Sequence, residues 1–339
     1  MTRISKDICV VSTAGRGGAI GRSYSFGMRR AALLLAFAAS VLACSLAGCS
    51  QPETHAQPQA VAPLSISYIG AWGMKGDGPG QLDEPTCIAT DALGNIFLAD
   101  AGSHFIHKFN WEGRPLLSFQ EPVLKHPQRI TVDSGGAIYV TDSGRGSAFV
   151  FFPNGDRYRE LRLKTRANTE NVLSVAVGDD GLIHLLDAST SRVTTFTPRF
   201  RLVRSWQPAA SASNAKIRTG AVAVGPDGYL YVTDLDGNRI LRFTNEGRFV
   251  STVDARADGT DRKLSDEIAV TRGYIFAMDI DGRMLHVWSA DGQPKLDVDL
   301  APELGQANRA VPALAVSPRK ELLVLDAPES RVLRYRLNF

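Results

Sequence analysis

Cysteine is scarce in this sequence, and its distribution is uneven. Of the four cysteines among 339 residues, Cys9, Cys44 and Cys49 lie near the start, and only Cys87 lies beyond residue 49. A single thiol cannot form an internal disulfide, so residues 50–339 are expected to fold without one in any redox compartment. Cys87 stands in an alternating apolar run, and we interpret it as a small core residue.

The familiar catalytic signatures are also missing. The sequence has no GxSxG nucleophile elbow and no HExxH zinc motif, and the glycine-rich stretch GMKGDGPG at residues 73–80 lacks the GK[ST] that cradles phosphate. The sequence therefore gives no support to a hydrolase of the nucleophile-elbow type, a zincin or a P-loop enzyme.

Only one long apolar run is present, AALLLAFAASVLACSLAG at residues 31–48. It follows Met28-Arg29-Arg30, and a short basic segment before an apolar core and small residues is typical of a secretory signal. The run is too short and too rich in small residues to suit a membrane span. LAGC at residues 46–49 resembles the bacterial lipobox, in which the cysteine is lipidated and becomes the mature N-terminus. An ordinary signal peptide cut nearby is the alternative.

We therefore expect an export signal at residues 1–48, with translation starting at Met1 or Met28, and a lipidated Cys49. A lipid anchor of several chains would hold the domain at a membrane surface, and the lipid would be its only membrane contact.

Residues 49–63 are expected to form the lipidated N-terminus and a tether. The segment Ser50–Pro63 is rich in Gln, Pro and Ala and shows no periodicity. Ser50, rather than Asp, follows the cysteine, and the resemblance to Gram-negative lipoproteins then favours sorting to the outer membrane. The expected location is the outer membrane, facing the periplasm or the cell surface.

The excess of positive charge belongs to the first 48 residues, which hold six of the 38 Lys and Arg but one of the 35 Asp and Glu. The remaining chain has 32 basic and 34 acidic residues, a formal charge of −2. An overall basic charge therefore cannot support nucleic-acid binding, and no nucleic-acid partner is expected.

A recurring pattern fills the rest of the chain. The stretch VAVGPDGYLYVTDLDGNRILRF at residues 222–243 is one of six copies, and in each an Asp ends the second alternating run and an aromatic residue follows nine positions later. Successive aspartates lie 42 to 47 residues apart, at Asp100, Asp142, Asp187, Asp234, Asp279 and Asp326. Six copies at this period indicate a repeat architecture.

Each copy provides strands for a four-stranded meander. Alternating apolar runs separated by turns such as Pro226-Asp227-Gly228 are typical of antiparallel strands. Such a sheet cannot bury both faces alone, and radial stacking of such sheets gives a β-propeller. The last copy ends after three strands, and SISYIGAW at residues 65–72 is expected to complete it. The sequence thus predicts an all-β, six-bladed propeller over residues 64–339, closed by an N-terminal strand.

The pattern GNIFLAD…F, with NRI or SRV before the third strand, resembles the NHL-repeat six-bladed propellers over about four-fifths of the chain. The resemblance implies this fold and a binding, scaffold or sensor role, because related propellers serve as extracytoplasmic sensor or assembly modules. Some eukaryotic members bind RNA through a basic face, but the loops here mix acids with bases.

The repeated aspartate is expected to be structural, because a catalytic carboxylate is needed once and this one recurs in every copy. We expect it to accept hydrogen bonds from the turn that follows. In three copies an Arg lies five residues later and is expected to help in some of them: Asp187 and Arg192, Asp234 and Arg239, Asp326 and Arg331.

Recognition is expected on the face that carries the long, variable inter-blade loops. Arg129 and Glu267 should rim the central channel on the second and fifth blades, across the ring from each other, and Asp266 adds a second carboxylate. We interpret them as a polar mouth that orients a ligand bearing both charges; ordinary solvated rim residues are the alternative. Arg218 and Arg309 add two cations to this face.

Metal chemistry is the competing hypothesis. His104 resembles the place of one zinc-binding His in NHL-type peptidylglycine amidating lyases, and His126 lies two residues early for a second ligand. A catalytic zinc site normally needs three protein ligands, and the other expected positions carry no His. A calcium site of the sugar-lactonase type would use Glu267 and Asp266, with the remaining ligands unidentified. The other histidines are expected to pack within strands: His107, His184 and His286.

The leading hypothesis is a non-enzymatic envelope lipoprotein whose propeller binds a protein, peptide or glycan, with no cofactor expected. The alternative is a metal-dependent lyase or hydrolase at the channel mouth, using zinc or calcium.

Overall fold

The computed structural model describes residues 63–163, 172–187, 189–209, 217–256, 259, 263–304 and 313–339. Cys49 and Arg309 lie outside the described residues, as do the export signal and most of the tether. Within the described part, no helix is long and apolar enough to cross a membrane.

The described residues form six four-stranded antiparallel sheets, which are the blades of a propeller. Blade 1 contains β2 (Pro85–Thr90), β3 (Ile96–Asp100), β4 (Phe105–Phe109) and β5 (Pro115–Gln120). Blade 2 contains β6 (Pro127–Val132), β7 (Ile138–Asp142), β8 (Ser147–Phe151) and β9 (Arg157–Leu161). Blade 3 contains β10 (Val172–Val177), β11 (Ile183–Asp187), β12 (Arg192–Phe196) and β13 (Leu202–Trp206).

Blade 4 contains β14 (Thr219–Val224), β15 (Leu230–Asp234), β16 (Arg239–Phe243) and β17 (Phe249–Asp254). Blade 5 contains β18 (Leu264–Val270), β19 (Tyr274–Asp279), β20 (Met284–Ser289) and β21 (Pro294–Asp299), followed by a one-turn helix, α1 (Ala301–Leu304). Blade 6 contains β22 (Ala313–Ser317), β23 (Glu321–Asp326), β24 (Arg331–Asn338) and β1 (Ser65–Trp72).

The first and last strands close the ring, as the sequence predicted. β1 pairs antiparallel with β24 from Ser65 opposite Asn338 to Trp72 opposite Val332. Trp72 then reaches across to Phe109 of blade 1, with 4.8 Å between the ring centroids. The edge of β24 is thereby paired, and the six-bladed prediction is confirmed.

The core lies between adjacent blades, because each sheet has two apolar faces. The cluster between blades 1 and 2, for example, joins Phe97 and Ile106 to Ile130 and Val140. Glycines in outer turns permit this close stacking. Gly247 of blade 4 has a φ of +82°, and a Cβ there would collide with the ring of Trp206 in blade 3.

The propeller has two faces. The long-loop face carries the turns after the repeated aspartates together with the loops that lead into each innermost strand; the short-turn face carries the remaining hairpin turns. On the long-loop face, Asp100 accepts hydrogen bonds from the amides of Gly102 and Ser103 in its own turn and of Asp83 and Glu84 in the inter-blade loop. The aspartate thus ties two loops together, beyond the single turn that the sequence predicted.

The arginine that follows the aspartate acts as predicted in two of the three copies. Arg239 donates to Asp234, and Arg331 donates to Asp326 at 2.9 Å. Arg192 instead donates to the hydroxyl and carbonyl of Ser205 on the neighbouring strand. The arginine therefore helps in some copies, as predicted, and this pair is the exception among the three. Asp187 instead accepts hydrogen bonds from the hydroxyls of Ser189 and Thr190 in the turn that follows it, in place of the guanidinium.

Candidate functional site

The six innermost strands enclose a central channel with a cavity of about 210 Å³. Its walls are mostly Ala, Val and Ile from all six blades, and Cys87 on β2 is one of the lining residues. Burial raises the pKa of the Cys87 thiol, although the charge of Arg129 opposes the rise. Cys87 is therefore a buried, protonated thiol, as the core interpretation requires.

Arg129, Asp266 and Glu267 meet at one end of this channel. The guanidinium of Arg129 crosses from blade 2 and donates to both carboxylates of blade 5, with 2.6 Å from Nη2 to Asp266 Oδ2 and a second bond from Nη1 to Glu267 Oε1. The side chains of Arg129 and Glu267 are 15% and 9% exposed. The residues predicted to face each other across the ring therefore contact each other directly. We call these three residues the channel clamp.

A β-bulge explains how two consecutive carboxylates reach one arginine. Neighbouring side chains of a regular strand point to opposite faces. In blade 5, however, the pairing of Leu264 with Asp279 is followed by that of Ile268 with Ala277, so the inner strand carries two extra residues. The extra backbone turns Asp266 and Glu267 toward the channel together. Nothing in the amino-acid types alone signals this bulge.

The neighbouring strand provides the space for Asp266. Gly220 of blade 4 has no side chain, and a Cβ at this position would lie 2.6 Å from Cβ of Asp266. The glycine therefore fixes how closely blades 4 and 5 approach at the channel mouth.

Burial and the clamp contacts shift the pKa values of Arg129 and Glu267. Burial opposes the charge on Arg129, but Glu267 and Asp266 outweigh it and hold the pKa of Arg129 above its ordinary value. Burial raises the pKa of Glu267; Arg129 opposes the rise and Asp266 adds to it. With all three groups ionised, the clamp carries two negative charges and one positive charge.

A groove of about 480 Å³ opens beside the clamp on the long-loop face, between blades 4 and 5. We call it the blade 4–5 groove. Arg218, Arg256 and Lys263 supply cations, and Asp236 and Asp266 supply carboxylates. The lining is completed by Leu235, Asn238, Leu264, Ser265 and Ile280. The structure thus brings Arg218 and Asp266, both predicted from the sequence, into one groove.

The ion pairs of Arg218 and Arg256 in this groove are exposed to solvent. Arg218 contacts Asp236 at 2.9 Å, and both side chains are more than half exposed. Arg256 lies 3.9 Å from Asp254 and donates weakly to the carbonyl of Gly237 at 3.4 Å. Exposed pairs of this kind contribute little to stability, so a ligand can compete for them at small cost.

The two histidines that the metal hypothesis singled out lie in loops, and neither lines the central channel or the blade 4–5 groove. His104 is exposed in the turn between β3 and β4, with a left-handed φ of 59°. Ser191, Asn238 and Ser330 have the same conformation four residues after their aspartates, so the place of His104 is a turn position. His126 is exposed in the loop before β6, where its amide donates to Asp142. Within the described ranges, no three His, Cys, Asp or Glu side chains are grouped to hold a metal ion.

The remaining described histidines pack within strands, as predicted. His107 and His184 are fully buried, and their Nδ1 atoms contact Ser118 Oγ at 2.9 Å and Thr195 Oγ1 at 3.1 Å. Burial lowers the pKa of each to about 4, so both rings are neutral at pH 7. They are buried polar residues of β4 and β11, and neither lines the central channel.

No model of a known protein family matches the sequence, and no curated protein matches it. Solved structures do resemble it. A streptogramin B lyase structure is 16% identical, with a TM-score of 0.58 over 83% of this chain and 100% of that one. A virginiamycin B lyase from Staphylococcus aureus is 15% identical, with a TM-score of 0.54 over 81% of this chain and 89% of that one.

A catalytically inactive variant of the S. aureus lyase, with quinupristin, is also similar, at 15% identity and a TM-score of 0.55 over 80% of this chain and 88% of that one. At these identities, the likeness establishes the propeller fold and leaves the activity of this chain open.

Proposed function

We propose that this chain is an exported, lipid-anchored binding module of the bacterial envelope. Its NHL-type propeller binds a protein, peptide or glycan on the long-loop face and acts as a scaffold or sensor. The lipobox-like LAGC before Ser50 supports the anchor, and the repeat pattern supports the NHL assignment. The partner is extracytoplasmic, and no cofactor is required.

One observation carries the binding role: Arg218 and Asp266 share the blade 4–5 groove with two further cations. Its volume of about 480 Å³ falls within the range of roughly 300–1,000 Å³ that is usual for ligand sites. The groove offers charges of both signs, so it suits a ligand with polar groups of both signs, such as a peptide segment.

The channel clamp supports binding over catalysis. A general base needs a carboxylate that is free to take a proton from a substrate. Glu267 and Asp266 are instead held by the guanidinium of Arg129 at the channel mouth. The blade 4–5 groove, which Asp266 also lines, remains open beside this contact.

Site-specific photo-crosslinking in living cells tests this proposal. A photoreactive residue would replace Ile280, which lines the groove and is 55% exposed. The matched control replaces Leu202, which is 65% exposed on the outer strand of blade 3. We expect a discrete adduct to an envelope component from position 280 and none from position 202. Equal adducts from both positions, or an adduct from position 202 alone, would contradict the proposal.

A metal-dependent lyase or hydrolase at the channel mouth is the second candidate. Its specific support is the raised pKa of Glu267 beside Asp266, together with the lyase fold of the solved structures above. The metal content of the full chain, purified without chelator or metal-affinity resin, tests it. Near-stoichiometric zinc or calcium that is lost in Glu267→Gln or His104→Ala would favour this candidate over the binding module.

A further inference from the structure

The direction of β1 determines the face at which the chain enters the propeller. β24 begins at Arg331, just after the long-loop-face turn of Asp326, and runs to the opposite face. β1 is antiparallel to it and starts at Ser65, opposite Asn338. The amide of Leu337 donates to the carbonyl of Lys320 in a short turn, which confirms that this end of β24 lies on the short-turn face. The chain therefore enters the propeller on the short-turn face.

Exposed apolar residues and cations lie together on this side of blades 6 and 1. Leu93 is 80% exposed, Trp111 37% and Phe339 36%. The guanidinium of Arg319 lies 4.4 Å from the ring centroid of Trp111, and the ammonium of Lys320 lies 4.8 Å from that of Phe339. We call these five residues the entry patch.

The carboxylates near the two entry-patch cations are paired with other cations. The nearby carboxylates of Asp91, Glu112 and Glu321 are each within ion-pair distance of a cation outside the patch: Lys108 at 3.9 Å, Arg114 at 3.4 Å and Arg334 at 2.8 Å. The side chains of Arg319 and Lys320 contact aromatic rings and, for Lys320, the main-chain oxygen of Phe339. Within the described part of the chain, neither cation is within ion-pair distance of a carboxylate side chain, so both are available to an anionic surface.

The length of the tether limits how far the domain can lie from the membrane. Ser50–Pro63 comprises 14 residues, which would span roughly 20 Å as a flexible coil and at most about 43 Å in an extended, proline-rich conformation. A lipid at Cys49 would hold the face where the chain enters close to the membrane surface, whereas the long-loop face would be reached only around the thickness of the blades.

We propose that the entry patch lies against phospholipid headgroups and directs the long-loop face away from the membrane. Aromatic side chains prefer the headgroup region, and basic residues are attracted to an anionic membrane surface. Leu93 and Trp111 contribute apolar surface, and Arg319 and Lys320 contribute charge. The occupant is the lipid surface that the tether brings near. This orientation depends on the proposed lipid anchor.

Tryptophan quenching in vesicles tests the proposal. The full chain is reconstituted into phosphatidylglycerol-rich vesicles whose acyl chains carry bromine near the headgroup end. We expect the lipid to quench part of the tryptophan fluorescence, and Trp111→Phe to abolish the quenched component. The double variant Arg319→Glu, Lys320→Glu is expected to abolish it as well.

The matched control is Arg199→Glu, Arg201→Glu, which makes the same change of charge in an exposed short turn of blade 3. It is expected to retain the quenching. Equal quenching of the wild-type chain and Trp111→Phe, or no effect of the entry-patch reversal, would overturn the proposal.

A separate measurement, partition of the chain into a detergent phase, shows whether the chain carries the lipid anchor. If it does not, the chain is mixed with excess brominated vesicles instead of being reconstituted into them. Loss of quenching there overturns the entry patch, whereas quenching that depends on Trp111 supports it even when the anchor fails.

Discussion

Replacing Arg129 by Met should strongly destabilise the propeller. The change leaves the Glu267 carboxylate, 9% exposed, beside Asp266 without its cation. Removing one partner of a buried ion pair typically costs about 3–5 kcal/mol, because an uncompensated charge remains in the core. We expect a loss of that size in the free energy of unfolding at pH 7, measured by urea denaturation.

The loss should depend on pH in a defined direction. The pKa of Glu267 already lies above its usual value of 4.5, and Arg129 is the main group that lowers it. Without Arg129 the folded variant keeps a proton on Glu267 at pH values where the unfolded chain has released it. Its stability therefore falls as pH rises through 4.5, and the deficit is smallest at or below that pH.

A double variant separates charge from packing. Arg129→Met combined with Glu267→Leu removes both buried charges, and apolar replacements of a buried pair are often neutral. We expect the double variant to regain most of the stability lost in the single one. The reasoning is refuted if Arg129→Met loses less than about 1 kcal/mol, or if the double variant is the less stable of the two.

Two further predictions concern stability. His107 and His184 have pKa values of about 4 in the folded state and 6.5 when unfolded. The free energy of unfolding should therefore decrease as the pH is lowered from 6.5 to 4, by up to about 3 kcal/mol for each histidine. His184→Gln should flatten the pH profile of urea unfolding in that window, and an unchanged profile would contradict the prediction. Gly247→Ala should lower the melting temperature much more than Gly228→Ala. Both glycines have a left-handed φ, but a Cβ at position 247 would collide with Trp206, whereas nothing lies within 4 Å of the Cβ position at Gly228. Equal losses in the two variants would count against this packing argument.

The repeat made most of the fold predictable. Six aspartates at regular spacing defined the blades, and the missing last strand pointed to residues 65–72, which pair with β24 as expected. The same logic identified Asp234 as structural, because a residue that recurs in every blade stabilises the blade itself. Periodicity is a strong signal for such features, since each copy repeats the evidence.

The candidate site was predictable only in part, because sites lie where the repeats differ. Blade counting placed Arg129 and Glu267 on opposite sides of the ring, but it could not show that they touch, since this depends on the channel width and on the bulge after Leu264. The sequence also did not show that Arg192 bonds Ser205 rather than Asp187, because the hydroxyls that bond Asp187 lie in a turn of ordinary composition.

The central claim is that the long-loop face binds a partner through the blade 4–5 groove. Two arginines of blade 4 give the most direct test: Arg218 on the long-loop face and Arg248 on the short-turn face are 63% and 78% exposed, and each pairs with a neighbouring carboxylate. The measurement is the yield of the photo-adduct formed from position 280 in Arg218→Glu and in Arg248→Glu. We expect the adduct to be lost in the first variant and retained in the second. Retention in both, or equal loss in both, would contradict the account.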